Sequence, residues 1–269
     1  MTLIMMPIGG NENDKKPVVS KEFIRLAGGD KASIVVLPQP SVLVDTPEYY
    51  IQHFLKLGAQ TVRSLDFRSR LETQSDEYLE AIQQATGIFI SGGTQMRLPA
   101  IIGGTKLEAA IFDAYQRGVI IAGTSAGASV MSKVMVAYGK SGSTPREGLA
   151  QFTPGLGLTD KIIFDQHFRQ RDRLGRLIYA ISAHPGLLGV GIDENTAAIV
   201  EDEAKITVVG TGAITVVDGS ELESTDVAEA EKGKPVAVSN LRVHVLTAGC
   251  SYHIPTRKAH IPNLQLVRE

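Results

Sequence analysis

The strongest constraint on the fold is an alternation. Through the first two thirds of the chain, short β-rich apolar runs take turns with amphipathic helical stretches. Leu3 to Ile8, Ile34 to Leu37, Thr61 to Leu65, Gly87 to Ile90, Val119 to Ala122 and Lys161 to Phe164 read as strands. Lys21 to Ala27, Pro47 to Leu57, Asp76 to Gln84 and Lys106 to Gln116 read as helices, with Thr46, Ser75 and Thr105 as N-caps. Apolar runs without polar alternation suit a parallel sheet covered on both faces, and strand-helix alternation means βαβ units. The expected architecture is therefore α/β, three-layered, with a predominantly parallel sheet between two layers of helices. After about Gly189 the pattern changes to short strand-like pieces, Ala197 to Val200, Ile206 to Val209, Ala213 to Val217 and Val243 to Leu246, separated by Gly, Asp and Ser turns. These added C-terminal strands are expected to extend the same sheet. The acidic segment Glu221 to Lys234 reads as a surface loop or short helix. No repeat or Pro-rich linker marks a boundary, so residues 1–269 are expected to form one domain.

Composition narrows the function. Apolar residues make up 43% and charged residues 21% of the 269, enough to bury a full core, while no apolar run approaches the roughly 18 residues of a membrane span. Met1 to Ile8 lacks a basic flank and a small-residue cleavage pattern, so it reads as a first buried strand rather than a signal peptide, and a cytoplasmic protein is expected. A formal charge of −2 removes the overall attraction that nonspecific nucleic-acid binders rely on. Cys250 is the sole cysteine, and no Cys/His cluster has zinc-site spacing, so neither a metal nor another cofactor is expected.

The strand Val119 to Ala122 runs into Gly123-Thr124-Ser125-Ala126-Gly127, and Ala128 to Met131 can continue as a helix. A serine on a sharp turn at the carboxyl end of a strand presents its hydroxyl to open space, while flanking glycines let neighbouring backbone pass close. The amide of Ala126, at the helix start, is placed to hold an oxyanion. Ser91-Gly92-Gly93-Thr94-Gln95 is a second strand-ending glycine loop, and Gly93 is the candidate for the other oxyanion donor. The plainer reading of both loops is tight turns that pack well.

A serine nucleophile needs a base. His167, in Asp165-Gln166-His167 after the run Lys161 to Phe164, also sits at a strand's carboxyl end, where the crevice of an open α/β sheet forms. His53 falls in a helix, His184 precedes Pro185, and His244, His253 and His260 fall late in the chain. Asp193 and Glu194, after Leu187 to Val190, are both suited to orient the imidazole, and chemistry alone does not choose between them. The order serine, histidine, acid disfavours an α/β-hydrolase, whose acid precedes its histidine, and Ser125 stands where a cysteine amidotransferase would need Cys.

Taken as an ordered set, Gly9-Gly10 with Glu12, Gly92-Gly93-Thr94-Gln95, Gly123 to Gly127, Pro154 to Leu158, Asp165-Gln166-His167-Phe168 and Gly191-Ile192-Asp193-Glu194 resemble the peptidase family that contains the cyanophycinases and aspartyl dipeptidases. The resemblance runs from residue 1 to about 257 and implies a fold like that of class I glutamine amidotransferases. It implies Ser125 as nucleophile, His167 as base and Glu194 as the orienting acid. Arg171, Arg173 and Arg176 after the histidine are like the cyanophycinase branch, in which the residues matching Gln95, Asp165, Gln166, Arg171, Arg173 and Arg176 line the substrate pocket. The implied substrate is cyanophycin, a polyaspartate carrying arginines on its side chains, cut to β-aspartyl-arginine, and the implied assembly is a homodimer. Guanidinium forks match the free carboxylates of such a polymer, and Asp165 is expected to pair with a substrate guanidinium. Read from pattern alone, Arg169, Arg173 and Arg176 at helical spacing form a solvated face. The loop Gly9-Gly10-Asn11-Glu12-Asn13-Asp14-Lys15 is longer than the family's Gly-Gly-Ala-Glu-Asp-Lys.

Overall fold

A computed structural model of the chain describes residues 2–262. Its first half is a run of βαβ units: β1 (Ile4–Ile8), α1 (Val18–Leu26), β2 (Ser33–Leu37), α2 (Thr46–Lys56), β3 (Thr61–Ser64), α3 (Asp76–Gln84), β4 (Gly87–Ile90), α4 (Arg97–Ile102), α5 (Lys106–Gln116), β5 (Ile120–Thr124) and the single turn α6 (Ala126–Ser129). Then come the hairpin β6 (Val134–Gly139) and β7 (Ala150–Pro154), β8 (Ile162–Gln166), α7 (Leu174–Ala183), β9 (Leu188–Ile192), β10 (Thr196–Glu201), β11 (Lys205–Gly210) and β12 (Ala213–Asp218). The short pair β13 (Ser224–Thr225) and β14 (Val238–Ser239), then β15 (Arg242–Thr247), β16 (Ser251–His253) and β17 (Lys258–His260), complete the described chain.

Nine strands form the main sheet in the order β17-β16-β11-β10-β1-β5-β4-β2-β3. The five from β1 to β3 are mutually parallel, and the four beyond β1 pair antiparallel. Consecutive strand residues bury on opposite faces, which explains the unbroken apolar runs. Met5, Val35, Ile88 and Ile121 join one core with Ile82, Leu107 and Ile111. Met6, Val36, Phe89 and Ala122 join the other, with Phe23 and Phe54 from α1 and α2.

The expected single extended sheet is corrected here. β10 and β11 do extend the main sheet, but β12 and β15 leave it and join β9 and β8 in a second sheet, ordered β15-β12-β9-β8. The strand expected at Lys161 to Phe164 thus belongs to this second sheet, whose β8–β9 pair is parallel. The redirection occurs at Gly210 to Gly212, where Gly210 has φ 120° and the Thr211 amide donates to Asn195 O at 2.9 Å. That chain reversal depends on a tertiary partner.

Helix ends show the same division between local and distant causes. Thr105 caps α5 as expected, its Oγ1 accepting from the Glu108 amide at 3.4 Å, while the Glu108 carboxylate accepts from Gly104 N at 2.7 Å. Ser75 occupies the N-cap of α3 without a side-chain bond. Asp45, not Thr46, is the N-cap of α2, and the Thr46 hydroxyl pairs instead with Ser41 Oγ at 2.7 Å. α1 starts at Val18, ahead of the expected Lys21, because the Glu12 carboxylate reaches across a loop to accept from Val19 N at 2.6 Å and Ser20 N at 3.0 Å. The segment from Glu221 to Lys234 is turn and loop around β13.

Candidate active site

Because β1, β5 and β4 are parallel neighbours, their carboxyl ends deliver Gly9-Gly10, Ser125 and Gly92-Gly93 to one rim of the main sheet. The second sheet supplies the rest. β8 and β9 are paired in register, Asp165 with Gly191 and Gln166 with Ile192, so the residues that follow them, His167 and Glu194, emerge side by side. A backbone bond joins the two sheets at this rim, His167 N donating to Gly9 O at 2.8 Å, while Gly9 N continues the β1–β10 pairing of the main sheet by donating to Thr196 O at 2.9 Å.

Ser125 sits at φ 53° and ψ −112°, dihedrals like those of the first corner of a II′ turn, where a residue with a Cβ is strained. Its amide donates to Ile8 O at 2.9 Å. The helix after it lasts one turn rather than reaching Met131, since Val130 and Ser132 are drawn into contacts with Leu156 and Thr159. Gly127 must be glycine: a methyl there would overlap Ile90 O, so the turn packs against β4 only without a side chain.

Ser125 Oγ stands 2.9 Å from His167 Nε2, and His167 Nδ1 stands 2.6 Å from Glu194 Oε1. With the ring proton on Nδ1 facing the carboxylate, Nε2 is left to accept from the serine hydroxyl. His167, 4% exposed, is also in the left-handed region at φ 44°. Gly10 lies flat on the imidazole, at φ 110°, where any side chain would enter the ring. Burial holds the His167 pKa below the ordinary histidine value, and the positive charges of Arg171 and Arg173 add to that; the Glu194 bond opposes it. The imidazole is therefore neutral at neutral pH, the state a general base requires.

The geometry separates the two acids. Asp193 is spent locally, accepting from Arg169 N at 3.0 Å and Ala213 N at 3.3 Å. Glu194 alone of the pair reaches the imidazole.

The oxyanion candidates flank the serine. Among the described residues, neither the Gly93 nor the Ala126 amide donates to a protein acceptor. A methyl on Gly92 would make ordinary contact with Ser125 Cβ at 3.4 Å, whereas Gly93 adopts φ 140° where a methyl would overlap Pro40 O. The first-turn amide of α6 and this glycine loop thus bracket the hydroxyl.

The residues expected to bind substrate divide. Arg171 is exposed and lines the cleft of about 380 Å³ that contains Ser125 and His167. Gln166 is buried next to the serine, its Oε1 3.4 Å from Ser125 Oγ. Asp165, Arg173 and Arg176 do not face the cleft; they form a buried block. Arg176 grips both Asp165 oxygens, its Nε donating at 2.6 Å and its Nη2 to the other oxygen, while Arg173 Nη1 donates to Gln166 O at 2.5 Å and to Asp165 at 3.4 Å. Burial draws Arg173 down to about 10, which leaves it cationic at neutral pH. The expected pairing of Asp165 with a substrate guanidinium is thus replaced here by two internal arginines. The solvated-face reading of Arg169, Arg173 and Arg176 is likewise corrected, because α7 starts only at Leu174 and two of the three are buried. Gln95 turns its amide onto Val136 O and Ala137 O, at 3.1 and 2.6 Å.

Several residues of the cleft were not singled out from the sequence. Asn11 Nδ2 donates to Glu194 Oε1 at 2.8 Å, and the Glu194 amide donates to Gln170 Oε1 at 3.1 Å. His53 and Tyr49, from α2, line the opposite wall. His53 Nε2 lies 2.9 Å from Ser20 Oγ, and Tyr49, pushed up to about 12 by burial and by its bond to Asp14, stacks on the His53 ring. Only the apolar spacing of α2 hinted that one face of this helix turns inward.

A family model, peptidase family S51, matches residues 3–208. The chain belongs to peptidase family S51. Among the relatives of this S51 member, the cyanophycinase of Trichormus variabilis is 38% identical over 94% of this chain and 86% of its own length. The cyanophycinase of Geminocystis herdmanii is 36% identical over 98% of this chain and 97% of its own. Among solved structures, a peptidase from an acI-B1 actinobacterium superposes with a TM-score of 0.69 at 22% identity, covering 93% of this chain and 96% of that one. A Listeria monocytogenes protein assigned to the peptidase E type gives 0.55 at 14% identity, over 79% and 100%. The S51 chain thus has the α/β fold of these peptidases, which is like that of the glutamine amidotransferases.

Proposed function

We propose that this S51 member is a serine exopeptidase that hydrolyses cyanophycin to β-aspartyl-arginine, with Ser125, His167 and Glu194 as its catalytic triad. The observation that carries the reading is the unbroken hydrogen-bonded chain from the Ser125 hydroxyl through His167 to Glu194, in a sequence 36–38% identical to cyanophycinases over nearly its whole length.

In this mechanism Ser125 Oγ attacks an aspartyl backbone carbonyl while His167 Nε2 takes its proton, Glu194 stabilising the imidazolium. The amides of Gly93 and Ala126 receive the negative oxygen. His167 passes the proton to the leaving amine, and water then attacks the acyl-enzyme by the same route in reverse. Arg171 is the exposed guanidinium of the cleft and pairs with a free carboxylate of the substrate, a bond that planar forks make bidentately. Gln166 contacts substrate beside the nucleophile. Asp165, Arg173 and Arg176 act behind that wall, the arginine block fixing the Gln166 backbone and so the strained His167 that follows it. Gln95 serves the same scaffold through the β6 carbonyls. The reading takes residues 1–269 as one catalytic domain, working without a cofactor as a homodimer in the cytoplasm.

Incubating the purified protein with insoluble cyanophycin and analysing the supernatant by mass spectrometry tests the substrate. β-Aspartyl-arginine is the expected product. Intact polymer alongside rapid cleavage of small aspartyl dipeptides would move the assignment to the dipeptidase branch.

A further inference from the structure

The geometry points to Asn11 as a positioning residue that sets the basicity of His167 through Glu194. This inference rests on the triad reading above and deepens it.

One oxygen, Glu194 Oε1, accepts both the His167 Nδ1 bond at 2.6 Å and the Asn11 Nδ2 bond at 2.8 Å. The Glu194 side chain is 23% exposed, so without a second donor water would compete for that oxygen and the carboxylate would be free to turn. The loop carrying Asn11 cannot drift away. Asn195 N donates to Gly10 O at 3.0 Å, and Asn13 N donates to Asn195 Oδ1 at 2.6 Å, which ties both sides of Asn11 to the turn that bears Glu194. Asn11 itself is left-handed, at φ 42°. Asparagine tolerates that backbone better than other residues with a side chain, and here it brings an amide donor as well. Gln170 holds the Glu194 backbone from the other side. Two neutral amides therefore clamp the acid, one at its main chain and one at the oxygen that serves the histidine.

The physical consequence has a sign. A donor on Oε1 draws off part of the negative charge that attracts the imidazole proton, so Asn11 keeps His167 less basic and its carboxylate partner in one plane. The charged groups around His167 are Glu194, Arg171 and Arg173, with Glu12, Asp14 and the His53 ring across the same cleft. Removing the Asn11 amide changes none of these charges; it changes only how much of Glu194 the histidine sees.

The test is the pH dependence of covalent labelling of Ser125 by a small fluorophosphonate, which needs a neutral His167 but no polymer. Asn11→Gly keeps the left-handed backbone and deletes the donor. It is expected to label about tenfold more slowly at neutral pH, the loss of one ordinary hydrogen bond, with its acid limb moved to higher pH than in the wild type. Asn11→Asp, the same size, should move the limb further in that direction by adding negative charge, and it keeps the test open if the glycine variant does not fold. Labelling of either folded variant with the wild-type rate and limb would overturn the role of Asn11 alone. Failure of the folded wild type to label would overturn the triad reading, and this inference with it.

Discussion

Ser125 stores strain that the proposed nucleophile role uses and stability does not need. A serine at φ 53° and ψ −112° costs on the order of 1–3 kcal/mol, and glycine at the same corner costs little. Ser125→Gly should therefore melt higher than Ser125→Ala, by the equivalent of about 1 kcal/mol, although neither turns over; equal stabilities in thermal denaturation would mean that the turn is relaxed. His167 gives the second prediction at this scale. Because its folded pKa lies below the ordinary 6.5, chiefly through burial, kcat/KM should be flat at neutral pH and fall only as pH drops through that lowered value. An acid limb centred above 6.5 would mean that the attraction of Glu194 outweighs burial. Much of this was readable in advance, since a glycine-flanked serine after an apolar strand and a histidine after another announce themselves by local pattern. Local pattern does not choose between Asp193 and Glu194, which the family resemblance alone separates, because the choice turns on Asp193 accepting from Arg169 and Ala213, bonds made between elements.

Elements were legible to the extent that their causes are local. β4, α3 and α5 begin and end where apolar periodicity and caps place them. α1 does not, because its first amides are satisfied by Glu12 from seven and eight residues upstream. That carboxylate should be worth about 1 kcal/mol, typical of a lost N-cap, so Glu12→Ala should lower the midpoint of urea denaturation without changing its slope. An unchanged midpoint would show that water serves the helix end equally well. The same cap anchors the loop that presents Gly10 to the imidazole and Asn11 to Glu194, so element stability and site geometry share a residue.

At the scale of the molecule, the site lies where two sheets meet. The main sheet supplies the serine and both glycine loops, and the second supplies the histidine and the acid. The alternation of strands and helices pointed to the first sheet with its helices on both faces. It could not reveal that β8, β9, β12 and β15 separate, since a strand's pattern of apolar residues does not say which neighbour it pairs with. The Asp165–Arg173–Arg176 block shows what holds the second sheet to its task. Asp165 is fully buried, so Arg176→Ala would leave a carboxylate without its main partner, and a loss of about 3 kcal/mol in unfolding free energy is expected. A loss below about 1 kcal/mol would show the block to be hydrated rather than structural.

On the proposed mechanism, the hydroxyl brought to this junction cuts the polymer. Release of β-aspartyl-arginine from cyanophycin, followed by mass spectrometry for the wild type and for Ser125→Ala side by side, tests it most directly. Steady release by the wild type and a fall on the order of 10⁴-fold or more in the folded variant is the predicted result. Comparable release by both proteins would contradict it.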